Sequence, residues 1–172
     1  MDVSIIYVVG FMGAGKTSVG QRLAELLGWS FVDLDQKIEE REGTPIREIF
    51  LRAGEPYFRR VESEELQSLS AGKNLVVALG GGAFCSLENQ RVVQRTGTSV
   101  WLDAPMEILF SRCKGDGSRP LFTTRAAMKD LIGRRRPFYA KADLRVRVGR
   151  LSVDQIADKI LVRLKSCASL SG

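Results

Sequence analysis

Short apolar runs alternate with amphipathic stretches along the whole chain. Ser4–Val9 (SIIYVV) is an uninterrupted, β-branched run that stops at Gly10, the pattern of a buried strand. Lys16–Leu27 then sets Val19, Leu23, Leu26 and Leu27 at helical spacing, and Gly28 fits the helix end. Ser30–Leu34, Asn74–Leu79, Ser99–Leu102 and Leu144–Val148 read as four further strands. Between them, Asp35 to about Gly54 reads as short helices broken at Gly43 and Pro45, and Pro56–Leu69 as a longer helix opened by its proline. Leu87–Gln94 and Met106–Cys113 are helical, Thr124–Tyr139 is helical until Pro137, and Val153–Leu164 closes the chain. Lys114–Thr123, rich in glycine and charge, reads as a mobile loop, and 166–172 as a frayed tail. Five strand–helix alternations with no repeat or linker predict a single α/β domain over 1–172. Its five-stranded parallel sheet would carry helices on both faces. Ligands of such folds bind at the C-terminal ends of the strands, where the glycine-rich segments here fall.

Composition narrows the chemistry. The chain has 172 residues, enough for one core without disulfides. It has no histidine, which excludes Ser-His-Asp, Cys-His and His-ligated metal chemistry, so acid–base work falls to carboxylates, Lys, Tyr or water. Cys85, Cys113 and Cys167 are odd in number and widely spaced, against a disulfide framework or zinc site. No apolar run approaches the ~18 residues of a membrane span, and the start carries no secretory or transit pattern. The expected location is the cytoplasm. Net charge is +6, but Arg112–Arg150 alone holds twelve basic residues against three acids. That concentration suggests an anionic partner, either nucleic acid or a polyphosphate.

Gly10-Phe11-Met12-Gly13-Ala14-Gly15-Lys16-Thr17 matches GxxxxGK[ST] in full, between a strand and a helix. Its glycines let successive N–H groups cradle phosphate oxygens, Lys16 reaches the β/γ-phosphates, and the Thr17 hydroxyl can ligate Mg²⁺. The chain is therefore expected to bind a nucleoside triphosphate. A guanine-reading NKxD is absent, and a small-molecule kinase is the natural reading. Such a kinase needs a magnesium partner, a substrate pocket and a basic lid. In Asp33-Leu34-Asp35, strand alternation would put both carboxylates on one side near the phosphate loop. One would serve Mg²⁺ and the other a substrate hydroxyl. The competing reading is a strand end followed by a helix cap.

These features resemble the shikimate kinase family. The segment 10–20 (GFMGAGKTSVG) is similar to its phosphate loop, and 33–35 (DLD) lies at the family's distance from it. Arg59, Glu62 and Leu66 followed by VVALGGGAF (76–84) fit its signature, and Arg119-Pro120-Leu121 and Arg135-x-Pro137-x-Tyr139 resemble its lid and the motif after it. The resemblance implies a P-loop kinase fold with a lid over about 112–124 and a substrate region over about 33–62. It implies transfer of the ATP γ-phosphate to the 3-hydroxyl of shikimate, toward chorismate and the aromatic amino acids. Asp35, Lys16 and Arg119 would be catalytic, and Thr17 and Asp33 would hold Mg²⁺. Gly13, Ala14, Gly15, Lys16, Thr17, Ser18, Arg112, Arg119 and Arg150 would bind ATP. Asp35, Arg59, Gly80, Gly81, Gly82 and Arg135 would bind shikimate. Planar, bidentate guanidiniums suit a carboxylate, and glycines let backbone approach a compact ring.

Three alternatives stay open. A gluconate-type kinase would share the nucleotide half, and a non-catalytic relative would bind nucleotide as a regulator. The basic segment could also be a nucleic-acid surface, although it lacks a known motif. The expected partners are shikimate and MgATP, with no nucleic acid, no membrane and a monomeric state.

Overall fold

The computed structural model describes residues 4–113 and 124–169, with side chains to 166. All five residues of β1 (Ile5–Val9) are buried. Because neighbouring side chains on a strand point to opposite faces, this burial means that both faces are covered. β2 (Ser30–Asp33), β3 (Leu75–Ala78), β4 (Thr98–Asp103) and β5 (Leu144–Arg147) complete the sheet. Its order is β2-β3-β1-β4-β5 and every pairing is parallel, with Tyr7 opposite Val77 on one side of β1 and Ser99 on the other. β3 and β4 are as buried as β1, whereas the edge strands β2 and β5 are half exposed.

The crossover helices are α1 (Lys16–Leu27), α2 (Leu34–Glu42), α3 (Ile46–Leu69), α4 (Leu87–Thr96), α5 (Met106–Cys113) and α6 (Arg125–Tyr139), and α7 (Val153–Ser169) follows the last strand. α1 buries Val19, Leu23 and Ala24 and packs with α7, while α3 lies against α2 and α4. The chain leaves β1 for the far edge at β2, returns to β3 and then crosses β1 to reach β4. The C-terminal ends of β1, β2 and β3 are thereby brought side by side, at the switch point where α/β sheets bind ligands. Among the described residues no helix is long and apolar enough to cross a membrane.

Several boundaries differ from the sequence-based expectation, each for a local reason. β2 stops at Asp33 because that side chain caps α2, so Leu34 is helical. α3 is two helical pieces joined at Gly54 (φ 81°), and the second piece is the helix expected over Pro56–Leu69. α4 runs on to Thr96, whose hydroxyl donates to Val92 O at 2.8 Å. α6 continues past Pro137, and its last residue, Tyr139, is buried. The frayed tail is corrected in part: α7 persists to Ser169, where no glycine or proline stops it, and the Ser166 hydroxyl donates to Val162 O. A 3₁₀ turn at Ala83–Cys85, which periodicity does not reveal, follows the triple glycine. The expected lid residues Lys114–Thr123, Arg119 among them, lie outside the described residues.

Between α6 and β5, Asp143 ties the edge of the sheet to β4. Its carboxylate accepts from the Ser99 N–H (2.8 Å) and hydroxyl (2.6 Å), and its own N–H donates to that hydroxyl. Ser99 is buried, so Asp143→Ala strands two donors. The expected loss is about 1–3 kcal/mol of unfolding free energy, read as a lower denaturant midpoint at unchanged slope.

Candidate active site

The loop after β1 is held open by two left-handed glycines, Gly13 (φ 78°) and Gly15 (φ 91°). Gly15 starts α1 without a side-chain cap, and the first helical bond runs from Val19 N to Gly15 O (2.9 Å). The N–H groups of Lys16, Thr17 and Ser18 therefore lie at the positive end of the helix dipole, where an anion is stabilised. Ala14 is buried and its N–H donates to Phe11 O at 3.2 Å, so its donor turns inward. The Lys16 amine lies across the loop and donates to Phe11 O at 3.0 Å. Arg112, at the end of α5, donates to Gly13 O at 3.0 Å and flanks the phosphate loop from outside. Arg150 is exposed in the turn between β5 and α7, apart from the cavity described next.

A cavity of about 610 Å³ opens beside the phosphate loop, at the ends of β1, β2 and β3. Lys16, Thr17, Asp33, Asp35, Arg59 and Arg135 line it, together with Gly80, Gly81 and Gly82. Nine of the residues singled out from sequence thus meet in one place. The two carboxylates arrive there by a different route from strand alternation. Asp33 is the cap of α2: one oxygen accepts from the Asp35 and Gln36 N–H groups at 3.1 and 3.5 Å. Its other oxygen accepts from the Thr17 hydroxyl at 2.7 Å. The cap reading holds for one oxygen, and the other is turned to Thr17, the second residue expected to hold Mg²⁺. Asp35 enters from the first turn of α2 and packs on Gly80, where a Cβ would lie 2.5 Å from Asp35 Oδ1.

On the opposite wall, Arg59 donates from Nη1 to both Glu62 oxygens (3.1 and 2.8 Å) and from Nε and Nη2 to Glu55 (3.2 and 3.1 Å). Its guanidinium lies over the Phe58 ring and against Gly82. Arg135 is only 8% exposed and sits over Phe11, and its Nη1 has no hydrogen-bond partner among the described residues. A buried guanidinium nitrogen at the cavity wall is a ready donor for an incoming anion.

Sequence reasoning assigned no chemistry to Glu62, which is 1% exposed. Burial pushes its carboxyl up to about 6; the nearby Asp35 charge adds to this, and Arg59 and Arg135 pull against it. The signal was present in the sequence, because Phe58, Val61, Glu62 and Leu66 form one buried helical stripe and a carboxylate does not belong there unpaired. Tyr139 was also assigned no role: its hydroxyl donates to Gly81 O, and burial pushes the phenol up. Thr17 and Asp33 offer hard oxygen ligands, which fit Mg²⁺ carried mainly by substrate phosphates and water.

Known proteins match most of the chain. The shikimate kinase family model matches residues 12–165. A shikimate kinase of Persephonella marina is 47% identical over 161 residues, covering 93% of this chain and 98% of that protein. Among solved structures, the shikimate kinase of Acinetobacter baumannii in complex with shikimate superposes with a TM-score of 0.93 at 38% identity. That match covers 96% of this chain and 94% of the other. The Aquifex aeolicus shikimate kinase gives 0.85 at 37% identity, covering 98% and 99%. Matched by the family model over most of its length, with the phosphate loop, DLD and glycine run on one cavity, this chain belongs to the shikimate kinase family.

Proposed function

We propose that the chain transfers the γ-phosphoryl group of ATP to the 3-hydroxyl of shikimate, giving shikimate 3-phosphate and ADP on the route to chorismate and the aromatic amino acids. One observation carries this reading: a phosphate cradle and a pocket of two arginines and a carboxylate share a single cavity. A compact hydroxy acid is the kind of acceptor that such a pocket suits, and the Acinetobacter baumannii relative was solved with shikimate.

In this reading Gly13, Gly15, Lys16, Thr17 and Ser18 hold the phosphates, Ala14 shapes the loop with its N–H given to Phe11 O, and Arg112 and Arg150 serve the adenine side. Arg59 and Arg135 take the substrate carboxylate in bidentate fashion, with Arg135 Nη1 gaining the acceptor that it lacks. Gly80, Gly81 and Gly82 let the ring lie against backbone. Asp35 accepts the proton of the 3-hydroxyl as that oxygen attacks the γ-phosphorus. Lys16 follows the charge that develops on the transferred group. Mg²⁺, held by Thr17 and Asp33, would neutralise phosphate charge. Arg119, on a lid of about 112–124, would close over the phosphates and exclude water. The enzyme would act as a cytoplasmic monomer.

The direct test is ADP release from purified protein and MgATP with shikimate, gluconate or quinate. Turnover with shikimate alone is expected, and it should stop on chelation and return with added Mg²⁺. Turnover with gluconate instead would replace the acceptor named here.

Asp35→Asn should lower kcat by about 10²-fold or more while leaving the KM for ATP in place. A decrease of only a few-fold would make Asp35 a group that positions the hydroxyl without taking its proton.

The raised carboxyl of Glu62 gives a pH dependence of definite sign. A substrate carboxylate bound beside it disfavours the ionised form further, so binding takes up a proton. Affinity for shikimate should therefore strengthen as pH falls toward about 6 and level off below it. Glu62→Gln should flatten that step in a titration of KM against pH; a step that survives belongs to another group.

A further inference from the structure

A second cavity, of about 350 Å³, lies behind the glycine run. It shares Arg59, Glu62, Gly82 and Arg135 with the larger cavity and adds Cys85 and Asn89. Two buried polar atoms of residues that line it have no hydrogen-bond partner among the described residues. They are Arg135 Nη1 and Asn89 Oδ1, the latter on a residue 1% exposed. The amide of Asn89 is oriented, because its Nδ2 donates to Ala83 O at 3.0 Å. The lining residues thus offer an unmet acceptor and an unmet donor, a combination answered by a ligand carrying N–H and C=O. A carboxylic amide carries both.

The remaining group is the thiol of Cys85. It is free and half-buried, and its backbone is fixed by an N–H bond to Gly82 O at 3.0 Å. Burial pushes the thiol up from its usual value; Glu62 adds to that, while the Arg135 and Arg59 guanidiniums oppose it. Thiolate is then scarce, and reaction depends on an electrophile being held beside the sulfur.

We propose that this cavity binds a small α,β-unsaturated amide between Asn89 and Arg135, and that Cys85 captures it covalently and so disables the adjoining acid pocket. In the capture the sulfur adds to the β-carbon of the alkene. An S–C bond forms, the C=C π bond breaks, the thiol proton ends on the α-carbon, and nothing leaves. The adduct occupies the space behind Arg59 and engages Arg135 Nη1, the donor proposed above for the substrate carboxylate. The loss of acid binding rests on that proposed role of the two arginines.

The test uses the full chain treated with acrylamide or with N,N-dimethylacrylamide, which lacks the N–H donor. Labelled cysteines are located by peptide mass mapping, and each rate is normalised to that of glutathione. Cys85 should label ahead of Cys113, with acrylamide favoured by about tenfold, the scale of one hydrogen bond to a buried acceptor. Saturating shikimate should slow the labelling, and the labelled enzyme should show a raised KM for shikimate at an unchanged KM for ATP. In Cys85→Ser neither reagent should alter the KM for shikimate. The proposal is overturned if Cys113 reacts while Cys85 does not, if the two amides react alike, or if a Cys85 adduct leaves the KM for shikimate unaltered. Failure of the shikimate reading would look different. Unlabelled protein would show no shikimate-dependent turnover, while capture at Cys85 and the preference for acrylamide would still support the amide site.

Discussion

The acid pocket depends on a stretch of backbone with no room for side chains. Where β3 ends, Gly80, Gly81 and Gly82 pass between Asp35, Glu62, Arg59 and Arg135. A Cβ at Gly80 would lie 2.5 Å from Asp35 Oδ1, and one at Gly82 would lie 2.6 Å from Arg59 Nη2. Carbon does not approach that closely, so either the charged group or the backbone would have to withdraw. Tyr139 ties the Gly81 carbonyl to α6, the same helix that carries Arg135. Three residues thereby set the spacing between the proposed base and the proposed carboxylate clamp, and they do so through backbone held in a parallel sheet.

Closeness brings an electrostatic problem. Two guanidiniums and two carboxylates meet partly out of water, where a charge is tolerated only if it is paired. Glu62 answers for Arg59 with both of its oxygens, and Glu55 adds a more exposed third acceptor. Among the described residues no such carboxylate is bonded to Arg135, and its Nη1 stays unmet. The pocket is one acceptor short, which makes it a poor site for a neutral sugar and a good one for an acid.

How much of this was legible in the sequence follows from what each signal depends on. The phosphate loop and α1 were readable to the residue, because glycine spacing, the lysine and the apolar stripe are local properties. Parallel strands followed from alternation and burial, but their order did not, since strand order is set by contacts distant in the chain. Asp33 shows the limit well. Its two competing readings, cap and ligand, looked exclusive in the sequence, yet the side chain has two oxygens: one caps α2 and the other faces the Thr17 hydroxyl, so the cap does not exclude the ligand role proposed above. Asp35 reached the site although the expected geometry was wrong, because a strand end and the first helical turn both point past β3 there. Glu62 was passed over although its apolar stripe marks it as buried, because which cations a buried carboxylate meets is a property of the packed molecule.

The late basic segment, which suggested an anionic partner, divides once it is folded. Arg136 and Arg145 converge on the buried carboxylate of Asp103 and flank the Trp101 ring at 5.6 and 4.8 Å. Arg125 pairs with Glu107, Arg134 with Asp130, and Lys141 lies over Phe138. Only Arg112 and Arg135, of the residues described there, reach the phosphate loop or the acid pocket. Charge density along the sequence was thus a true signal with a mixed origin. A cation on an edge strand such as β5 or on the exposed side of α6 satisfies local partners, whereas one buried beside glycine backbone is left to meet a ligand. Position in the fold separates the two roles, and for Arg135 and Arg136, adjacent in the chain, the separation comes from about 100° of helical rotation.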